Sequence, residues 1–170
     1  MQITEKDNSE INRVSKILLF VDKMDLKYAE RESDEIFRKQ PFILSLILGY
    51  RFDLNQEGYG EVIKLLYMIW EYFKVFEKIG SRQVTEEQYE RITARNLQML
   101  KYYVGEPGEA EKSALVESDL NHLDSKTIWT AVIFRFKNNE TLLNLKEEIK
   151  AAVLIGTKTL IECLEETLRE

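Results

Sequence analysis

The sequence predicts an all-α fold, a single domain over residues 1–170 built as a bundle of six or seven helices. Three observations lead there. The chain has two prolines and seven glycines in 170 residues, against roughly 8 and 12 at average usage, so few breakers interrupt long helices. Apolar residues recur at spacings of three and four along most of the chain, the period of a helix with one buried face. Only residues 126–136 are rich in β-formers, and a strand there would have no partner run at period two. At this length a folded chain buries ~70% of the surface its unfolded form exposes, so neither disulfide nor structural metal is needed for a core.

Asp7 with Glu10 forms a capping-box start, and Ile11, Val14, Leu18 and Val21 follow at helical spacing, with Ile17 and Met24 widening the stripe. The charged run from Glu30 to Glu35 reads as an exposed stretch of the same helix, continuing to about Gln40, in preference to a break capped at Ser33. Pro41 suits a first helical position and opens a short helix over 42–52, apolar on all sides and therefore buried. Gly49, Asp53, Asn55, Gly58 and Gly60 mark a loop before a long helix over 61–78. There Val62, Leu66, Ile69, Phe73 and Phe76 form one stripe and Tyr59, Ile63, Tyr67 and Trp70 an adjacent one. Two apolar faces make it the central helix, with Glu61, Lys64, Met68, Glu71, Val75 and Lys78 meeting solvent in part.

Gly80 and Ser81 end that helix, and Thr85–Gln88 is a capping box for the next, whose inner face carries Tyr89, Ile92, Met99 and Tyr103. Residues 105–108 stop it. A further amphipathic segment with Ala110, Ala114, Leu115 and Leu120 runs to about His122. Residues 126–136 then form a second short buried helix. Asn138 and Asn139 interrupt it, and a final helix over 140–168 closes the chain, with Glu165 and Arg169 as a favourable pair four apart. A short apolar helix followed by a longer amphipathic one occurs in each half, and both short ones end in Arg-Phe, a pattern that two weakly similar halves would produce.

Charge and cysteine content bound the function. The net charge is −6, and residues 105–125 hold most of the excess, with Lys112 against Glu106, Glu109, Glu111, Glu117, Asp119 and Asp124. Phosphate binding rests on clustered Lys and Arg, and no dense basic run occurs, so nucleic acid is not an expected partner. The longest uncharged apolar-rich run, 41–50, is about half the ~20 residues that span a bilayer, and the first residues lack a basic stretch followed by an apolar one. A lone cysteine, Cys163, fits a reducing compartment. The expected setting is the cytoplasm, with no membrane association.

No stretch carries a specific catalytic signature. Cys163 lies beside the apolar stripe of the last helix, where a cysteine acts as a small buried hydrophobe. Asp119-Leu120-Asn121-His122 has the i, i+3 spacing of carboxylate–histidine metal ligands in helical bundles, but His122 is the only histidine and such centres need two. Glu30 with Asp34, Glu86 with Glu90, and Glu162 with Glu166 read as solvated acidic faces. The two glycines of Gly58-Tyr59-Gly60 lack the strand and further glycines of a phosphate loop. Ala151, Ala152 and Gly156 read as a close helix crossing, since Gly inside a helix needs a packing reason.

Aromatic residues offer the best opening for function. Tyr59, Tyr72, Tyr89, Tyr102 and Tyr103 fall at edges of apolar stripes, positions suited to a half-buried rim or a partner surface. The loop before the central helix adds Tyr50, Arg51 and Asp53, and Tyr and Arg are frequent binding hot spots. The sequence therefore predicts a cytoplasmic protein-interaction or regulatory module without catalytic activity or cofactor. Its protein-binding surface would include Tyr50, Arg51, Asp53 and Tyr59, with self-association left open. The competing reading is a small helical enzyme or carboxylate–histidine metal protein with Asp119 and His122 near its site.

Overall fold

Four short polar side chains decide where helices begin. Asp25, Asn55, Thr85 and Asn139 each accept a hydrogen bond from the amide three residues on, Tyr28 N at 2.7 Å, Gly58 N at 2.8 Å, Gln88 N at 3.2 Å and Leu142 N at 3.0 Å, satisfying donors that a helix start leaves unpaired. The structure, a computed structural model, describes residues 5–105 and 108–169, and among these every regular element is helical, with no strand. The elements are α1 (Glu5–Asp22), α2 (Leu26–Lys39), α3 (Pro41–Gly49), a 3-10 turn (Tyr50–Phe52), α4 (Gln56–Glu71) with a π-helical end (Tyr72–Phe76), α5 (Glu86–Gly105), α6 (Glu109–Asn121), α7 (Lys126–Asn138), α8 (Glu140–Leu143) and α9 (Glu147–Arg169). No helix among the described residues is long and apolar enough to cross a membrane.

The nine α-helical segments exceed the expected six or seven because two expected helices are broken. The first stops at Asp22, and Asp25, with extended backbone, caps a new helix. The charged run Glu30–Glu35 is helical as expected, but within α2. Its Glu32 is buried, not exposed. At the chain's other end α8 is one turn and α9 starts afresh at Glu147. The break turns Leu145 onto α4: a Cβ at Gly58 would sit 3.1 Å from Leu145 Cδ2. Gly58 therefore admits a neighbouring side chain at a helix start.

Other boundaries also move. α1 is helical from Glu5, before the Asp7 cap, and the Glu10 carboxylate instead accepts from Thr127 Oγ1 of α7 at 2.8 Å. The loop expected over 49–60 shrinks to residues 53–55, because Asn55 caps α4 and brings Gly58 and Gly60 into its first turns. α3 starts at Pro41 as expected but is buried only along Ile43 and Ile47, while Leu48 is exposed. Gln40, the residue before Pro41, is fully buried: its side chain donates to Arg82 O and accepts from Val84 N at 3.0 Å. Of the stop after α5, Glu106 and Pro107 lie outside the described residues.

α4 is the centre, as its two apolar faces predict. Val62, Leu65, Leu66, Met68, Ile69, Trp70 and Phe73 are essentially inaccessible to solvent, and α1, α8 and α9 pack on it. Met68 and Glu71, expected at the surface, are buried, because α4 is covered on nearly every side. Its helical run ends at Phe76, and Lys78 and Gly80 just beyond have φ of 53° and 68°. Glycine adopts the left-handed region at little cost, so Gly80 fits the expected stop. The helix expected over 126–136 forms and runs on to Asn138, although Phe134 is exposed. Glu165 does not pair with Arg169: its buried carboxylate accepts from Ser125 N at 2.6 Å, at the start of α7, while Arg169 pairs with Asp124.

α5 lies along α9 in the most extensive helix pairing of the fold. Gly156 sets the crossing expected there: a Cβ on it would stand 2.2 Å from the Tyr50 hydroxyl and 3.1 Å from that of Tyr89. The small residue is needed for two phenols rather than for a backbone crossing, and Ala151 and Ala152 are exposed.

Leu66→Ala and Phe73→Ala should each lower stability by about 2–5 kcal/mol in urea denaturation; losses under about 1 kcal/mol for both contradict a central α4. Gly156→Ala should lower it by about 1–3 kcal/mol through overpacking. Adding Tyr50→Phe should return most of that loss, since only the hydroxyl clashes severely.

Candidate functional site

Polar residues interrupt the apolar stripes of two packed helices at the same level. On α5 the row Ile92, Asn96, Met99, Tyr103 carries one amide, and on α9 the row Leu154, Lys158, Glu162 carries two charges. Because α5 lies along α9, these groups meet in the interior. Lys158 Nζ donates to Asn96 Oδ1 at 2.9 Å, Asp119 Oδ1 at 2.9 Å and Glu162 Oε1 at 3.0 Å. Asn96 Nδ2 donates to Thr159 Oγ1 at 3.0 Å and Glu162 Oε2 at 2.6 Å. Arg95 closes the set with an ion pair to Glu162 at 2.9 Å.

Two cations thus face two carboxylates, and Asn96, Lys158 and Glu162 are all buried. An ammonium taken out of water is tolerated only when paired and hydrogen-bonded, and here all three of its protons have acceptors. Glu162, expected on a solvated acidic face with Glu166, is instead an interior ligand of Lys158. The signal in the sequence was its spacing four residues after a lysine, within the apolar stripe.

This cluster forms the floor of a groove of about 600 Å³ between α5, α6, α7 and α9. Met99, Leu100 and Tyr103 line it from α5, Leu115 and Val116 from α6, Trp129, Ile133 and Lys137 from α7, and Leu154 and Ile155 from α9. The groove stays open because α6 covers it poorly. No residue of α6 is buried; it is tied to the floor by Asp119, and Lys112 stands over the Tyr103 ring at 5.8 Å. The rim exposes Leu100, Tyr103 and Val116. A concave, mostly apolar space with a few convergent polar groups is the usual form of a ligand site.

The residues singled out in the sequence distribute differently. Asp119 reaches the floor of the groove, but His122 does not join it: its Nδ1 bonds Ser118 O at 2.6 Å at an exposed position. Among the described residues no group of three or more His, Cys, Asp and Glu could hold a metal ion. Cys163 is buried, and burial pushes its thiol up to about 12.

The Tyr50, Arg51, Asp53, Tyr59 set divides. Tyr50 turns inward against α9, its phenol pushed up to about 12 by burial, with Asp53 adding to the shift and a bond from Tyr89 opposing it. Tyr59 is half-buried, and burial raises its phenol against the opposing charge of Arg51. Arg51 and Asp53 are exposed, with Phe52 beside them 90% exposed. None of the four lines the groove.

A second interior ion cluster joins α2 to α4. Lys74 Nζ meets Glu32, Glu71 at 3.0 Å and Glu35 at 3.4 Å, and Trp70 Nε1 donates to Glu32 at 3.3 Å. The ammonium bonded from Lys39 holds Glu35's carboxyl below its ordinary range. This cluster fastens helix to helix. Compared with protein-family models, with curated proteins and with solved structures, the chain has no match.

Lys158→Met should lower stability by about 3–5 kcal/mol, the cost of leaving a buried carboxylate without its cation. Adding Glu162→Met should recover more than half of that loss in urea denaturation, because the pair, not either residue, suits the interior.

Proposed function

We propose that the chain acts by binding rather than catalysis, as a cytoplasmic regulatory or interaction module formed by one domain over 1–170. The groove between α5, α6, α7 and α9 would hold the apolar part of a ligand, and the surface with Tyr50, Arg51, Asp53 and Tyr59 would meet a protein partner. The observation that carries this reading is an open apolar space of about 600 Å³ over a floor whose charges are already paired with one another. Such a floor presents no free acid, base or nucleophile, while the walls offer apolar area to an occupant. Exposed apolar residues at the rim fit the same reading, since contiguous patches of this kind mark binding surfaces.

α9 joins the two parts. Its Leu154, Ile155 and Lys158 face the groove, and its Gly156 seats Tyr50. Occupancy of the groove can therefore bear on the 50–59 surface through one rigid helix. The order α3–α4 and α7–α9, short helix then long, is also what two related halves would leave.

Native protein should take up one equivalent of a neutral apolar fluorophore. Val116→Glu, on the exposed edge of the groove, should abolish uptake with stability kept within about 0.5 kcal/mol. Arg51→Ala with Tyr59→Ala should keep uptake but lose the partner that wild type captures from a host lysate. Absence of uptake by the native chain refutes the groove; capture unchanged by the double substitution refutes the loop.

A further inference from the structure

The lining of the groove is uneven in charge. Its charged members are Lys137, Lys158 and Asp119. Lys158 and Asp119 pair with each other, and Glu162 and Arg95, just beneath, pair as well. Lys137 is exposed, and no carboxylate among the described residues pairs with it. The groove therefore carries one surplus positive charge, placed at its edge.

Lys137 is also aligned with the apolar wall. Trp129, Ile133 and Lys137 stand four apart on α7 and share one face, a stripe of about 12 Å at the rise of an α-helix. Leu154 and Ile155 of α9 and Met99 and Leu100 of α5 line the same space. An elongated apolar body can lie along α7 with its polar end at Lys137.

We infer that the groove binds a single-chain aliphatic carboxylate, its tail along Trp129 and Ile133 and its head on Lys137. This rests on the groove being a ligand site. The surplus of one charge matches a monoanion better than a dianionic phosphate. No arginine lines the groove, whereas bidentate guanidinium contacts favour phosphate recognition. The occupant is the free acid in water rather than a lipid surface, because the apolar area lies within a recess and not on a protruding face.

The test titrates the full-length protein with dodecanoate, dodecanol, dodecyl phosphate and phosphatidylglycerol vesicles, read by calorimetry and by Trp129 fluorescence with Trp129→Phe as the blank. Dodecanoate should bind one to one below its aggregation threshold and about three- to fivefold more tightly than dodecanol, the size of a partly exposed ion pair. Lys137→Gln should erase that preference and leave dodecanol affinity unchanged, while Lys137→Arg should keep it. Equal affinity for the acid and the alcohol, tighter binding of dodecyl phosphate, or binding to vesicles alone each overturns the inference, even if the neutral fluorophore still binds. Loss of fluorophore and dodecanol binding together overturns the groove itself.

Discussion

An ammonium group cannot sit inside a protein without acceptors on every side, and Lys158 meets that requirement only where α5, α6 and α9 converge. Asn96 fixes the level of α5 against α9, Glu162 supplies the compensating charge from one turn further along, and Asp119 draws α6 over the top. Sliding α5 by one turn would strand the buried Asn96 amide, at about 1–3 kcal/mol, and would take one acceptor from Lys158 and one donor from Glu162. The polar layer thus selects one register from several that an apolar interface would accept. The same layer makes the groove floor chemically quiet, since its charges face one another.

Around this layer the remaining helices are arranged by burial and by staples. α4 contributes the largest continuous core, and neighbours cover it so fully that even Met68 and Glu71 are withdrawn from solvent. Gln40 binds the connection after α4 through both ends of its amide, and the Lys74 cluster ties α2 to α4. These contacts use polar groups where sequence patterns advertise only apolar stripes. Buried polar groups hydrogen-bonded in this way fix geometry more than they add net stability.

What was legible in the sequence follows from these facts. Helical periodicity identified α1, α4, α5 and the end of α9, and a missing partner strand correctly made 126–136 helical. Breaks at Asp25 and Asn144 were not legible, because a single Asp or Asn is a cap only if tertiary packing turns the chain there. Gly156 announced a packing reason, though not that it would be two tyrosine hydroxyls. The groove was not read from the sequence: Asn96 within an apolar row and Glu162 four after Lys158 are polar residues in inward positions, but Glu162 reads there as part of a solvated face. Reading those residues as paired with each other needs the knowledge that α5 lies along α9, which is a long-range fact.

α6 has a further consequence for kinetics. A helix with no fully buried residue opens locally at a free energy below that of global unfolding, so its amides should exchange with solvent before those of α4 or α9. Detaching α6 widens the already open groove while the α5–α9 layer loses only one of three acceptors on Lys158. Entry and exit of an occupant are then decoupled from the stability of the core: a chain made more rigid at α4 would bind and release at the same rate as before.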